Sequence, residues 1–240
     1  MRTFNIIFAI TPATTVALVG NSWSFTEAPA TGLTDITFPF KLANAPNERG
    51  YYFAQQFDFI DVESQGYAGL QPQANDSNGD TVVRAVFSSF QTGATTTHPN
   101  CSDGADGGTG VSCGVVVKAT YDHAHDVRIK KSGSTTWSAT LVDVETGTSN
   151  DIGEWTLPAG SGNIKNGQVG FVEYFPFNGR ATKDCSTLPK TEAVFYNPLS
   201  DTQGAGSGRV KKPYLYGDCE TGNGFSTEQV PSGWHIEVGF

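Results

Sequence analysis

Several residue types and patterns are rare in this chain, and each absence excludes a class of protein. Methionine occurs only at position 1, and charged residues make up 16% of the sequence. Proline or glycine interrupts every stretch that could place apolar residues at helical spacing for three turns, so a helical fold is excluded. No repeat period is visible, which argues against a propeller. No apolar run is long enough to span a bilayer as a helix.

Basic residues are also in the minority, with 15 Lys and Arg against 24 Asp and Glu. Nucleic acid or an anionic membrane surface as partner would demand a basic surface, so neither is expected. The 28 glycines and the 12% of aromatic residues are typical of a secreted all-β protein with many turns. We therefore predict an extracellular protein, and we interpret the apolar run at 4–10 as a strand rather than as a signal peptide.

Cysteines provide the strongest local signal. Cys101 and Cys113 bracket a loop of glycine and small polar residues, which cannot hold its shape by burying apolar side chains and needs a covalent constraint. Cys185 and Cys219 make the count even. Four cysteines allow three pairings, and we expect the two pairs nearest in sequence, Cys101 with Cys113 and Cys185 with Cys219. A structural zinc site is disfavoured because no CxxC or Cys/His cluster occurs. Disulfides imply an oxidising compartment.

Strand signals recur along the whole chain, each bounded by Gly, Pro, Asn or Asp, and predict one all-β domain over residues 1–240. The predicted strands are 4–10, 15–25, 34–42, 51–59, 67–73, 81–90, 114–120, 126–130, 136–143, 151–157, 167–175, 191–197, 214–216 and 233–240.

Period-two alternation places Glu173 in an apolar row with Phe171 and Phe175. A charge there is costly unless it is paired or the sheet face is a wet groove. Amides, hydroxyls and carboxylates beside aromatic rings are what a sugar site needs. We therefore predict a polar cluster on one concave sheet face, flanked by rings such as Tyr51 and Trp137. Its predicted members are Gln55, Gln71, Ser88 and Tyr174 as ligand-binding residues, with Glu173 and Glu192. An ordinary solvated sheet face is the competing interpretation.

A catalytic version of this site uses Glu173 with a second carboxylate, Glu192 or Asp58, at the separation that glycosidases require. In a glycoside hydrolase or a polysaccharide lyase, the partner of Glu173 is such a carboxylate or a tyrosine such as Tyr174. The sequence leaves open whether the protein is an enzyme.

Two further groups of side chains are candidate metal ligands. Asp103 and Asp106 lie in the glycine-rich loop, where carboxylates and carbonyls can gather a Ca²⁺ ion. The segment His123-Ala124-His125 would place both imidazoles on one strand face, as in some transition-metal sites. A disulfide-tied turn needs no ion, and a solvated turn also explains the histidines. We therefore predict no cofactor, with Ca²⁺ as the one alternative.

Five segments together resemble a family of secreted bacterial and fungal β-sandwich proteins, a domain of unknown function. They are residues 51–57 (YYFAQQF), 66–71 (GYAGLQ), 85–90 (AVFSSF), 106–110 (DGGTG) and 170–175 (GFVEYF). The chain has Phe90 where the family often has Trp, and Asp106 matches its acidic loop residue. The resemblance spans roughly residues 34 to 200 and implies a concanavalin-like jelly-roll sandwich that accompanies carbohydrate-active modules.

These observations predict a secreted, lectin-like protein that binds extracellular or cell-wall glycans through one sheet face. The alternative is a glycoside hydrolase or polysaccharide lyase that uses Glu173. A third hypothesis is a toxin or host-interaction protein whose loops make the contact.

Overall fold

Two antiparallel β-sheets make up the part of the chain that the structure describes. The structure is a computed structural model, and it describes residues 17–221 and 223–240. The predicted strand at 4–10 lies outside these ranges. Within them the chain forms strands with only three short 3-10 helices, Phe175–Phe177, Cys185–Thr187 and Gly217–Cys219. The predicted all-β, jelly-roll-like sandwich is confirmed, whereas the assignment of residues 1–240 to one domain stays a prediction.

We number the described strands in chain order. They are β1 (Ala17–Phe25), β2 (Asp35–Lys41), β3 (Tyr51–Phe57), β4 (Gly66–Pro72), β5 (Val82–Ser89), β6 (Cys101–Asp103), β7 (Val111–Lys118), β8 (Ala124–Lys131), β9 (Thr136–Asp143), β10 (Ser149–Thr156), β11 (Gly167–Tyr174), β12 (Thr191–Tyr196), β13 (Gly208–Val210), β14 (Tyr214–Leu215), β15 (Ser226–Val230) and β16 (Gly233–Val238). The first sheet has the order β13-β1-β11-β3-β4-β5-β7-β6, with β14 also paired to β1. The second has the order β10-β9-β8-β2-β12-β16-β15.

Aromatic side chains fill the space between the sheets. Phe87 of the first sheet stacks on Trp155 of the second with ring centroids 4.5 Å apart. Phe59 packs against Trp137 at 5.0 Å, and both are fully buried. Full burial of one large apolar side chain stabilises the fold by roughly 1.5–3 kcal/mol. Trp137 and Tyr51 both belong to this core, so their predicted role as stacking rings of a ligand site is wrong.

Three short strands were not predicted from the sequence, and all three lie at a sheet edge. β6 and β13 end the first sheet and β15 ends the second. Edge strands bury little on either face, so their sequences, CSD, GRV and STEQV, lack the apolar alternation that marks interior strands.

Both disulfides have the predicted pairing, Cys101–Cys113 and Cys185–Cys219. The first ties β6 to β7 at directly opposed positions. Two disulfides are consistent with the extracellular location inferred from sequence. No helix in the described ranges has the length and apolar character needed to cross a membrane.

The two bridges allow a matched test of how loop length contributes to stability. Each joins a fully buried cysteine, Cys113 or Cys219, to a half-buried one, Cys101 or Cys185. Their sequence separations are 12 and 34, so the chain-entropy relation predicts that removing Cys185–Cys219 costs about 1 kcal/mol more than removing Cys101–Cys113. Urea unfolding of the two double Cys→Ala variants measures this difference. Equal losses would show that packing at the bridges, rather than loop closure, sets their contribution.

Candidate functional site

One face of the first sheet carries the polar and aromatic side chains of the candidate site. Alternate residues of β3 and β11, among them Phe53, Phe57 and Val172, point into the core between the sheets. The residues between them point the other way, and we call this side the outer face. Its buried aromatic and aliphatic base consists of Tyr52, Ala54, Tyr67, Val86 and Phe171.

The register brings Glu173 and Gln71 to neighbouring strands on either side of Tyr52. Glu173 of β11 is the Cα partner of Tyr52 in β3. Gly69 of β4 is the partner of Ala54, so Gln71, two residues further along β4, shares the face of Tyr52. Strands lie about 4.8 Å apart, which leaves a gap of about 10 Å between the backbones of Glu173 and Gln71. The predicted pairing of these two residues on one concave face therefore has a geometric basis.

Glu173 is a buried carboxyl group whose side chain accepts one hydrogen bond from the residues that the structure describes. Only 5% of the residue is exposed, and Oε1 accepts a 2.7 Å hydrogen bond from Asn178 Nδ2. The 3-10 helix Phe175–Phe177 turns the chain back and so brings Asn178 over the strand that precedes it. Burial raises the pKa of Glu173, the hydrogen bond from Asn178 opposes this shift, and the negative charge of Asp106 adds to it.

Two tyrosines form the floor between Glu173 and the neighbouring strands. Tyr52 packs edge-to-face against Tyr67 and Phe171, with centroids 5.2 and 5.6 Å apart. The hydroxyl of Tyr52 is buried and has no hydrogen-bond partner among the described residues. The Tyr67 hydroxyl donates a 2.9 Å hydrogen bond to Asp106 Oδ1. Burial raises the pKa of both phenols, so both stay protonated donors at neutral pH.

Arg84 fixes the orientation of the Gln71 amide. Its Nη1 donates to Gln71 Oε1 at 3.3 Å, and the two residues are Cα partners in β4 and β5. A guanidinium group only donates, so the amide presents its oxygen to Arg84 and keeps its NH₂ group for another acceptor. Gly114 provides the space for this arrangement, because a Cβ at that position would lie 2.5 Å from Arg84 Nη2.

The glycine-rich loop between Cys101 and Cys113 supplies Asp106 to this face. Asp106 adopts a positive φ of 47°, a conformation that aspartate tolerates better than most residues. Gly110, at φ 103°, passes so close to Ser89 that a Cβ there would overlap its carbonyl oxygen. The loop therefore lies against the end of β5, with Asp106 over Tyr67.

Two of the predicted ligand-binding residues point away from this face. Gln55 pairs with Gly170 and lies between Phe53 and Phe57 in the row that faces the core, and it is only 2% exposed. Tyr174 follows Glu173 directly and packs on Tyr51 with centroids 5.0 Å apart. The prediction that Gln55 and Tyr174 share a face with Gln71 and Glu173 is wrong, because successive strand residues point to opposite sides.

Glu192 is not a second carboxylate for Glu173. It lies on β12 of the second sheet and accepts a 2.8 Å hydrogen bond from Asn44 Nδ2, with Lys190 and His235 also in contact. Asp58 is six residues from Tyr52 along the chain, about 20 Å if the strand is extended. The predicted carboxylate pair is therefore wrong for both partners. Ser88 does lie on the outer face, where it pairs with Tyr67 and bonds Ser112 Oγ at 2.8 Å.

The predicted Ca²⁺ ligands differ in their surroundings. Asp103 is exposed on β6, while Asp106 bonds Tyr67. Within the described ranges, the group of three or more potential ligand side chains within mutual reach contains neither aspartate. Calcium binding at this loop stays a prediction.

Sequence reasoning missed Tyr52, Tyr67, Arg84 and Asn178 as members of the site. Alternation within residues 51–57 already placed Tyr52 opposite to Gln55, and a strict choice of one face would have selected it. The contacts of Arg84 and Asn178 depend on which strands pair and on how the chain turns after β11, and no local pattern encodes either.

No protein-family model matches the chain, and neither does any curated protein sequence. Solved structures do match. Scytalido-glutamic peptidase with a peptide-based transition-state analogue has 9% identity and a TM-score of 0.48 over 95% of this chain and all of that one. SCP-B, described as a member of the eqolisin family of peptidases in complex with the tripeptide Ala-Ile-His, gives 9% identity, a TM-score of 0.44 and the same coverage.

These matches contradict the predicted carbohydrate function. The matching proteins are named as peptidases and contain peptide-based or transition-state-analogue ligands, whereas a lectin, a glycoside hydrolase and a polysaccharide lyase all act on glycans. The prediction that the partner is a carbohydrate ligand is wrong for the same reason. The prediction rested on amides and carboxylates beside aromatic rings, a set of groups that binds a peptide backbone as readily as a sugar.

The raised pKa of Glu173 predicts a characteristic pH dependence of stability. A carboxyl group whose pKa is raised by folding stabilises the protein below its unfolded pKa, and this contribution is lost as pH rises through the folded pKa. Glu173→Gln removes the buried charge and keeps an acceptor for Asn178. Its melting temperature relative to wild type should therefore be more favourable near pH 7 than near pH 3, as measured by differential scanning calorimetry.

Glu192→Gln is the matched control and should show the opposite trend. The hydrogen bond from Asn44 is the main cause that lowers the pKa of Glu192, so the stability that it contributes is present at neutral pH and is lost as pH falls. A pH-independent melting difference for Glu173→Gln would contradict a raised pKa at that position.

Proposed function

We propose that the outer face is a peptidase site in which Glu173 is the general base and acid and Gln71 stabilises the oxyanion. The observation that carries this proposal is that a buried carboxyl group and an oriented amide donor lie on the same sheet face. Each is on a strand next to β3, which carries Tyr52 between them. In this proposal the protein hydrolyses peptide bonds, and its substrate is an extended peptide that lies across β11, β3 and β4.

The spacing of the two groups suits this reaction. Side chains of Glu and Gln each reach a few ångström from their backbones, so a gap of about 10 Å between the strands leaves room for a peptide carbonyl and one water molecule. The hydroxyl of Tyr52, unpartnered within the described ranges, lies in the same row and is a further donor to the substrate. Burial excludes bulk water from Glu173 and strengthens each of these polar interactions.

The reaction follows from the protonation states. The Glu173 carboxylate removes a proton from water while the water oxygen forms a bond to the carbonyl carbon. The carbonyl π electrons move to oxygen, and the Gln71 NH₂ group donates a hydrogen bond to the resulting oxyanion. Collapse of the tetrahedral species breaks the C–N bond as Glu173 returns the proton to the amine. Asn178 holds the carboxyl group in place through Oε1, which leaves Oε2 for the proton transfer.

Cleavage of an unfolded protein substrate, followed by mass spectrometry of the products, tests the proposal. We expect Glu173→Gln to lower kcat/KM by about 10²–10⁴-fold and Gln71→Ala by about 10²–10³-fold. In wild type, kcat/KM should rise with pH through a pKa above the ordinary value of about 4.3, because the base must be ionised. Glu192→Gln should retain wild-type activity. Cleavage that survives Glu173→Gln in purified protein would refute the assignment.

Arg84 is a positioning residue in this scheme, and kinetic measurements distinguish this role from a purely structural one. Arg84→Met frees the Gln71 amide to rotate, so kcat should fall about 10- to 100-fold while KM changes little. Arg84→Lys keeps a donor for Gln71 Oε1 and should recover part of the loss. Equal loss in both variants, together with a lowered melting temperature, would indicate that Arg84 only supports the fold.

A further inference from the structure

A second group of polar side chains lies at a cavity away from the outer face. The cavity has a volume of about 920 Å³, and its lining includes Asn44, Lys118, Tyr121, His125 and Asp143. Neither Gln71 nor Glu173 is among the lining residues. His125, near the start of β8, is the Cα partner of Asp143 at the end of β9. Both residues therefore lie at the same end of the second sheet.

Three side chains beside this cavity converge on one point. His123 Nδ1 lies 2.8 Å from Asp143 Oδ2. The ligand atoms of His123, Asp143 and Glu145 all lie within 4.8 Å of one another. Asp143 Oδ1 is occupied by the backbone N–H groups of Glu145 and Thr146 at 3.0 Å each, so the turn after β9 fixes the carboxylate with Oδ2 facing the imidazole.

His125 is the independent observation that points to a ligand. It is 2% exposed, and its Nδ1 lies 3.1 Å from the backbone oxygen of His123. A carbonyl oxygen can only accept, so Nδ1 carries the hydrogen, and the neutral ring has its lone pair on Nε2. That Nε2 is buried, has no hydrogen-bond partner among the described residues, and lies 3.9 Å from Asp143 Oδ2.

A buried lone pair facing a carboxylate oxygen is unfavourable unless a positive group lies between them. The hydrogen bond of Nδ1 to a backbone carbonyl is the arrangement that orients metal-binding histidines, with the other nitrogen left for the ion.

We propose that His123 Nδ1, His125 Nε2 and Asp143 Oδ2 bind a divalent transition-metal ion of the Zn²⁺ type, with Glu145 within reach as a fourth ligand. Two imidazoles and carboxylates form a donor set that zinc accepts in tetrahedral geometry. With ligand bonds of about 2.0–2.1 Å, tetrahedral donor atoms lie about 3.3 Å apart. The separations of 2.8 Å and 3.9 Å to Asp143 Oδ2 bracket this value. The group within 4.8 Å contains His123, Asp143 and Glu145, so the His125 ring must turn toward this group to complete the site.

This ion would join the beginning of β8 to the turn between β9 and β10. The proposal does not depend on the peptidase activity, because the two sets of residues lie on different sheets.

Isothermal titration of the chelator-treated full chain with Zn²⁺ tests the proposal. We expect one ion per chain and a higher melting temperature on binding. Asp143→Asn keeps the Oδ1 contacts to the turn and should weaken Zn²⁺ at least about 100-fold, and His123→Gln, at a half-buried position, at least about 10-fold. Co²⁺ in place of Zn²⁺ should give the visible absorption of a tetrahedral site in wild type and lose it in Asp143→Asn.

The chain contains a matched control for a simple His–carboxylate pair. His98 Nε2 lies 2.8 Å from Asp151 Oδ2, the same separation as in the pair of His123 with Asp143, but no third ligand adjoins it in the described ranges. His98→Gln should leave Zn²⁺ binding unchanged. Absence of one-to-one binding by wild type, or undiminished binding by a folded Asp143→Asn variant, would overturn the proposal. So would equal weakening by His98→Gln.

Discussion

Pairing of β3 with β11 on one side and with β4 on the other determines what each side chain of this region can do. Once Tyr52 opposes Glu173 and Ala54 opposes Gly69, strict alternation sends one set of residues into the core and the other to the outer face. A shift of one residue in either pairing would bury Gln71 or Glu173 among Phe53 and its neighbours. The aromatic core between the sheets, with rings such as Phe87 on Trp155, holds this register in place.

The sequence predicted the fold well and the site only in part. Interior strands bury at least one face, so their apolar alternation could be recognised in the sequence. The glycine-rich loops between the cysteines indicated the disulfides. Glu173 stood out because a charge in an apolar row needs an explanation. Gln55 and Gln71 looked equivalent as strand amides, and only the register separates them. The contacts of Arg84 and Asn178 arise between segments distant in sequence, where local patterns carry no information.

Gly170 shows why an amide was misassigned. Asn21 and Gln55 are its Cα partners on the two neighbouring strands, so both amides lie in the core beside it. A Cβ on Gly170 would overlap Gln55 Oε1, which means that the missing side chain makes room for the amide. Asn21 Oδ1, Asn21 Nδ2 and Gln55 Oε1 lack partners among the described residues. Leaving such groups unsatisfied costs about 1–3 kcal/mol each, which is the kind of cost that buried waters relieve. A polar residue on a strand can therefore lie in the core as well as at a ligand site.

The covalent bridges connect the fold to the outer face. Neither disulfide lies among the side chains of the face, yet each anchors a segment that reaches it. The loop closed by Cys101 and Cys113 carries Asp106 to Tyr67, and Tyr216, three residues before Cys219, packs on the aromatic base of the outer face. The loop between Cys101 and Cys113 is rich in glycine and buries only the apolar side chains of Ala105 and Val111, so without its bridge its position would be set by weak contacts alone. Asp106 and Glu173 are the negative charges that influence this face, the first by raising the pKa of the second. The position of a disulfide-tied loop thus contributes to the protonation state of a carboxyl group on a strand that it does not adjoin in sequence.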